Sequence, residues 1–92
     1  MKGANLMCSW IVEKATITGR GKGTEGWFPL TQANVSFDHP TNAFMENSLN
    51  IDFVNQDIGP SARIAVEISA DSARKLVKAI EGALVNWQSH HV

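Results

Sequence analysis

The chain has 92 residues, with eight Lys plus Arg against nine Asp plus Glu. That length leaves room for one domain, residues 1–92, and the near-balance of charge lacks the basic surplus that binding to a phosphate backbone requires, so nucleic acid is not an expected partner. A single cysteine, Cys8, excludes an internal disulfide and suits the reducing cytoplasm, and no apolar run approaches the roughly 20 residues of a membrane span.

Residues 1–7 read as a flexible N-terminal extension, with Met7 a second candidate start. From Cys8 to Thr18 the β-branched and aromatic residues Trp10, Ile11, Val12, Thr16 and Ile17 favour a first strand. Gly19-Arg20-Gly21-Lys22-Gly23-Thr24-Glu25-Gly26 reads as a glycine-rich loop, because glycine raises the entropic cost of holding a helix or strand. A second strand follows from Trp27 to Phe37, with Ala33, Val35 and Phe37 on one face and Gln32, Asn34 and Ser36 on the other. Trp27 and Phe28 are adjacent, so their rings must point to opposite faces, and an exposed ring there would favour a protein interface. Asp38-His39-Pro40 ends the strand, since proline has no amide to give the ladder, and a connection runs on to Asn47.

The third strand, Ser48 to Val54, alternates Leu49, Ile51 and Phe53 with Asn50 and Asp52. The fourth, Ala62 to Ile68, sets Ile64, Val66 and Ile68 against Arg63, Ala65 and Glu67. Ser69 is placed to cap a helix starting near Ala70. Ala73, Leu76, Val77, Ile80, Ala83, Leu84 and Trp87 then recur at three- and four-residue spacing as one apolar stripe, which reads as the face turned to the core, Trp87 included.

Four strands and one helix predict an α+β domain: a mainly antiparallel four-stranded sheet with one C-terminal helix packed on one face. One helix cannot cover a whole sheet, so the remaining surface must be solvated, bind a ligand or meet another subunit. The resulting expectation is a homo-oligomeric, non-enzymatic binding or assembly module, with no cofactor, no membrane and an unidentified small molecule as a further partner. Its contact region would be the polar sheet face and the 38–47 connection: Asp38, His39, Glu46, Asn50, Asp52, Arg63 and Glu67. Arg63 on such a face would need Asp52 or Glu67 as partner if two copies stacked there.

Two other readings use the same residues. His39 with Glu46 or Asp52 supplies the nitrogen and oxygen of an acid/base pair or a metal-assisted hydrolase. Arg20 and Lys22, beside the amides of the 19–26 loop, suggest a small anionic ligand, although Lys22 is followed by Gly23 rather than by Ser or Thr and a helix.

Cys8-Ser9-Trp10-Ile11-Val12-Glu13-Lys14, the Gly-Arg-Gly-Lys-Gly run, Gly26-Trp27-Phe28, Asp38-His39-Pro40 and Leu49-Asn50-Ile51-Asp52-Phe53 together resemble a small bacterial family of unknown function, over about Met7 to Leu84. The resemblance implies further histidines just after the Asp-His-Pro turn and after the following glutamate. Asn42 and Asn47 stand at those positions here, which counts against a metal site, and the family carries no established activity to transfer.

Overall fold

The computed structural model describes residues 12–39 and 46–91, with side chains to residue 88 in the helix. The expected extension 1–7, the start of the first strand at Cys8 to Ile11, and residues 40–45 of the connection lie outside the described residues. The chain is α+β, in the order β1 (Glu13–Gly23), β2 (Gly26–Asp38), β3 (Ser48–Val54), β4 (Arg63–Ile68) and α1 (Ala70–His91). The strands form one antiparallel sheet in the sequential order β1-β2-β3-β4, the arrangement that short connections favour.

The register stacks the apolar residues on one face. Ala33 pairs with Phe53 and Phe53 with Ile64; Val35, Ile51 and Val66 form the next row, and Phe37, Leu49 and Ile68 the one after. A slip of one residue would turn this whole set to water, so burial fixes the register. Between these rows, Asn34, Asp52 and Ala65 align, as do Ser36, Asn50 and Glu67, giving a polar opposite face.

The expected loop at 19–26 is mostly strand. Gly19, Gly21 and Gly23 pair with Leu30, Phe28 and Gly26, and only Thr24 and Glu25 turn. The physical reason is space. A β-carbon on Gly21 would lie 2.5 Å from Ile64 Cδ1 and 3.0 Å from Leu30 Cδ1, so β1 closes on these side chains only because it has none there. Gly26, directly after the turn, takes a φ of 114°, which a β-carbon would oppose.

Leu30 and Ala33 are both buried, although residues three apart on a regular strand face opposite ways. The β1–β2 register shifts between Thr16 and Gly19, opposite this step. Such a bulge bends the ribbon and increases its twist, bringing Gly21 of one edge strand to Ile64 of the other. Leu30, Ala33 and Ala62 form the buried apolar core among the described residues.

Asn55 organises the β3–β4 connection. Its Nδ2 donates to the Pro29 carbonyl at 3.0 Å, and its Oδ1 accepts from the Asp57 amide at 3.1 Å. Its own amide donates to the Ala62 carbonyl at 3.1 Å. Being buried, Asn55 needs these partners, and they tie the loop to β2.

The helix starts as expected. The Ser69 hydroxyl accepts from the Ser72 amide at 3.1 Å, and Asp71 sits in the first turn, where the helix dipole favours an anion. The helix meets the sheet at β3, with Ala70 and Ala73 half-buried. Beyond them the stripe is open, contrary to its reading as a core face: Leu76 is 44% exposed, Ile80 53%, and both Leu84 and Trp87 62%.

Candidate functional site

The polar face of the sheet is built from β2, β3 and β4, and its side chains partner one another. Gln32 Nε2 donates to Asn34 Oδ1 at 2.5 Å, and the Ser48 hydroxyl donates to Asn50 Oδ1 at the same distance. Arg63 reaches diagonally to Asp52, with Nε at 2.9 Å and Nη2 at 2.7 Å from Oδ1. This is one of the two pairings the sequence allowed for Arg63. The Arg63 and Asp52 side chains remain 55% and 36% exposed, so the pair orders the face more than it stabilises it, at about 0–1 kcal/mol. Glu67 pairs with Asn50 in the backbone register, completing the expected set on this face.

The 38–47 corner has a different use for its polar groups. The Asp38 carboxylate accepts from the His39 amide at 2.7 Å, the self-capping that ends strands at such residues. His39 Nδ1 lies 3.1 Å from the Glu46 carbonyl oxygen, to which it donates in the tautomer that carries its proton there. His39 and Glu46 therefore meet, but through the Glu46 main chain rather than its carboxylate. Asp52 stands opposite Asn34, four residues along β2 from Asp38, or about 13 Å at strand rise. The corner and Asp52 are separate places on the sheet. Among the described residues, no three His, Cys, Asp or Glu side chains converge as a metal site would require.

Arg20 and Lys22 lie on the edge strand β1, opposite Pro29 and Trp27. Arg20 Nη2 is 3.5 Å from the Trp27 carbonyl, at the limit of a hydrogen bond. The main chain around them is extended and paired with β2, so it lacks the curled run of amides on which the expected anion loop depended. A cleft of about 210 Å³ opens beside this hairpin, between the Gly23–Phe28 segment and Ile58, Ser61 and Ala62. Trp27 beside it is 62% exposed while Phe28 is half-buried, so the adjacent rings do divide between the two sides. The cleft is smaller than the roughly 300–1,000 Å³ of typical small-molecule pockets.

The surface that sequence reasoning misassigned is the helix. Leu76, Val77, Ile80, Leu84 and Trp87 were legible as an apolar stripe, and nothing in their spacing distinguishes a stripe facing its own core from one facing outward. The informative signal was elsewhere: with a fourth strand ending at Ile68 and a cap at Ser69, the turn available to bring the helix over the sheet is one residue long. Arg74, Lys75 and Lys78 flank the stripe with positive charge. No helix among the described residues is long and apolar enough to cross a membrane.

No curated protein and no solved structure matches this chain. A family model described as a family of unknown function, DUF6295, matches residues 7–92. That span includes all four strands and the helix, and the chain belongs to this family.

Proposed function

We propose that this protein is a non-enzymatic assembly module that works as a homo-oligomer, with the apolar stripe of α1 as its main contact surface. The observation that carries this reading is an imbalance of burial. The buried apolar residues described are Leu30, Ala33 and Ala62, while Leu76, Val77, Ile80, Leu84, Val85 and Trp87 are all exposed on one helix. Soluble monomers rarely expose contiguous apolar patches above a few hundred Å². A second copy of the chain supplies the missing cover in the commonest way, by closed symmetry.

The polar sheet face then serves as the outward platform, and the Arg63–Asp52 pair, Gln32, Asn34 and Asn50 are its candidate contacts for a small ligand or for the wider assembly. A reducing cytoplasmic setting fits the lone Cys8. The enzyme reading loses support because Asp38 and His39 are engaged with main-chain partners and Asp52 with Arg63. Light scattering on untagged protein at tens of micromolar tests the proposal. A mass at a multiple of 10.0 kDa is expected, and a monomer would overturn it. Stoichiometric zinc or manganese in the same sample, lost on His39→Ala, would restore the metal-assisted alternative.

A further inference from the structure

We infer that the β1–β2 hairpin is a docking surface for an acidic, extended peptide segment of a partner protein. The segment's carboxylates sit on Arg20 and Lys22, and one of its apolar side chains enters the cleft beside Trp27. This surface is separate from the stripe of α1 and does not depend on the homo-oligomeric reading.

The first observation is how the hairpin sorts its side chains. Directly paired residues of antiparallel strands share a face, and Arg20 pairs with Pro29 while Lys22 pairs with Trp27. These four side chains therefore stand together, and all four residues are exposed, Trp27 to 62%. The intervening pairs, Gly19 with Leu30 and Gly21 with Phe28, turn the other way, where Gly21 and Leu30 are buried and Phe28 is half-buried. The fold packs one side of this ribbon and makes no use of the indole on the other. Exposed tryptophan and arginine side by side are the residue types that anchor protein partners.

The second observation is charge. Among the described residues neither Arg20 nor Lys22 has an acidic partner; the ion pair there is Arg63 with Asp52. Arg20 Nη2 lies 3.5 Å from the Trp27 carbonyl, so the guanidinium sits alongside that residue. Arg20 and Lys22 are two residues apart on one strand, about 7 Å at strand rise. Alternate side chains of an extended peptide repeat at the same interval, so carboxylates at two such positions match the two cations in both sign and spacing.

The third is the cleft at the turn end of the same hairpin. Its 210 Å³ is bordered by Trp27, Phe28, Ile58 and Ala62, with Glu25 and Ser61 on its polar side, and Ile58 is 54% exposed. The space suits one anchoring side chain rather than a whole small molecule. The Glu25 carboxylate disfavours an acidic group there, which assigns the apolar anchor to the cleft and the carboxylates to the Arg20–Lys22 end. A free small anion finds charge on this open face but no enclosure, and a nucleic-acid strand needs a longer basic track than two residues.

The experiment displays random twelve-residue peptides on phage and selects them on the full chain, with wild type and the Arg20→Glu/Lys22→Glu double variant as parallel targets. Wild type is expected to enrich peptides with Asp or Glu at alternate positions beside one Leu, Phe or Trp. The charge-reversed variant is expected to enrich Lys and Arg at those positions instead, an outcome that a misfolded protein does not produce. No enrichment on wild type, enrichment without acidic residues, or the same acidic peptides on the reversed variant would each overturn the inference. The strongest acidic peptide, labelled with fluorescein, is then titrated by fluorescence anisotropy. Trp27→Ala is expected to weaken its binding about 30-fold. Arg20→Ala and Lys22→Ala are each expected to cost roughly two- to fivefold, less at high salt. Unchanged affinity in Trp27→Ala would overturn the inference. So would a drop in the mass of Trp27→Ala below that of wild type in light scattering, since the hairpin would then hold a second copy of this chain.

Discussion

The two ends of this small sheet solve the same packing problem in opposite ways. At the hairpin end the chain removes side chains: Gly21 lets β1 close on Leu30 and Ile64, and the buried Asn55 ties the facing loop to β2 through the Pro29 carbonyl. At the helix end it supplies side chains, from Phe37 to Trp87, that its own fold does not cover. Most of the apolar surface that the fold leaves open therefore lies at the second end.

Five changes would break or sharpen that contrast. The largest effect is expected from Ile80→Asp with Leu84→Asp. In a symmetric dimer these alter four buried contacts at about 1.5–3 kcal/mol each, raising the dissociation constant by at least ~10⁴-fold. Sedimentation across a dilution series, with circular dichroism to verify helix content, measures this, and an unchanged mass would show that the stripe is not the contact.

Asn55→Ala tests the satisfied end. It strips the partners from the Pro29 carbonyl and the Asp57 amide, so a loss of about 2–3 kcal/mol is expected in denaturant unfolding at fixed protein concentration, with the native oligomeric state retained. Gly21→Val forces branched carbons into space held by Ile64 and Leu30 and is expected to destabilise by about 2 kcal/mol. A neutral result would mean that Ile64 swings aside and that the edge strands do not depend on glycine to meet.

Smaller still is Gly26→Ala, where the positive φ makes about 1 kcal/mol the expected loss. The smallest effect belongs to the polar face. A double-mutant cycle on Arg63→Ala and Asp52→Ala should give a coupling below about 1 kcal/mol, falling with added salt. A much larger coupling would mean that the pair is buried in the assembled protein, which would move the contact surface from the helix to this face.

Much of the architecture was readable because period-two alternation ties a strand to one buried face. Ser48–Val54 begins and ends where alternation and flanking polar residues said it should, and the cap at Ser69 was also foreseen; for Arg63 the sequence named Asp52 or Glu67 only for stacked copies, and the pair with Asp52 forms within one chain. The glycine segment was misread for an instructive reason. Gly19, Gly21 and Gly23 themselves recur with period two, the strand's own signature, but glycine's low strand propensity hid it until Leu30 and Ile64 were seen to occupy the missing side-chain space. The candidate site was only partly legible. His39 and Glu46 do come together, yet which Glu46 atom receives the ring depends on the path of the main chain, which residue types do not encode.

Local chemistry in the sequence therefore determined the third and fourth strands, the apolar face of each and the helix cap, since each follows from neighbours a few residues apart. Whether the apolar stripe of α1 faces its own sheet was settled only in three dimensions. That choice depends on the direction in which a one-residue link at Ser69 launches a rigid rod of about 33 Å, a vector property that periodicity cannot carry.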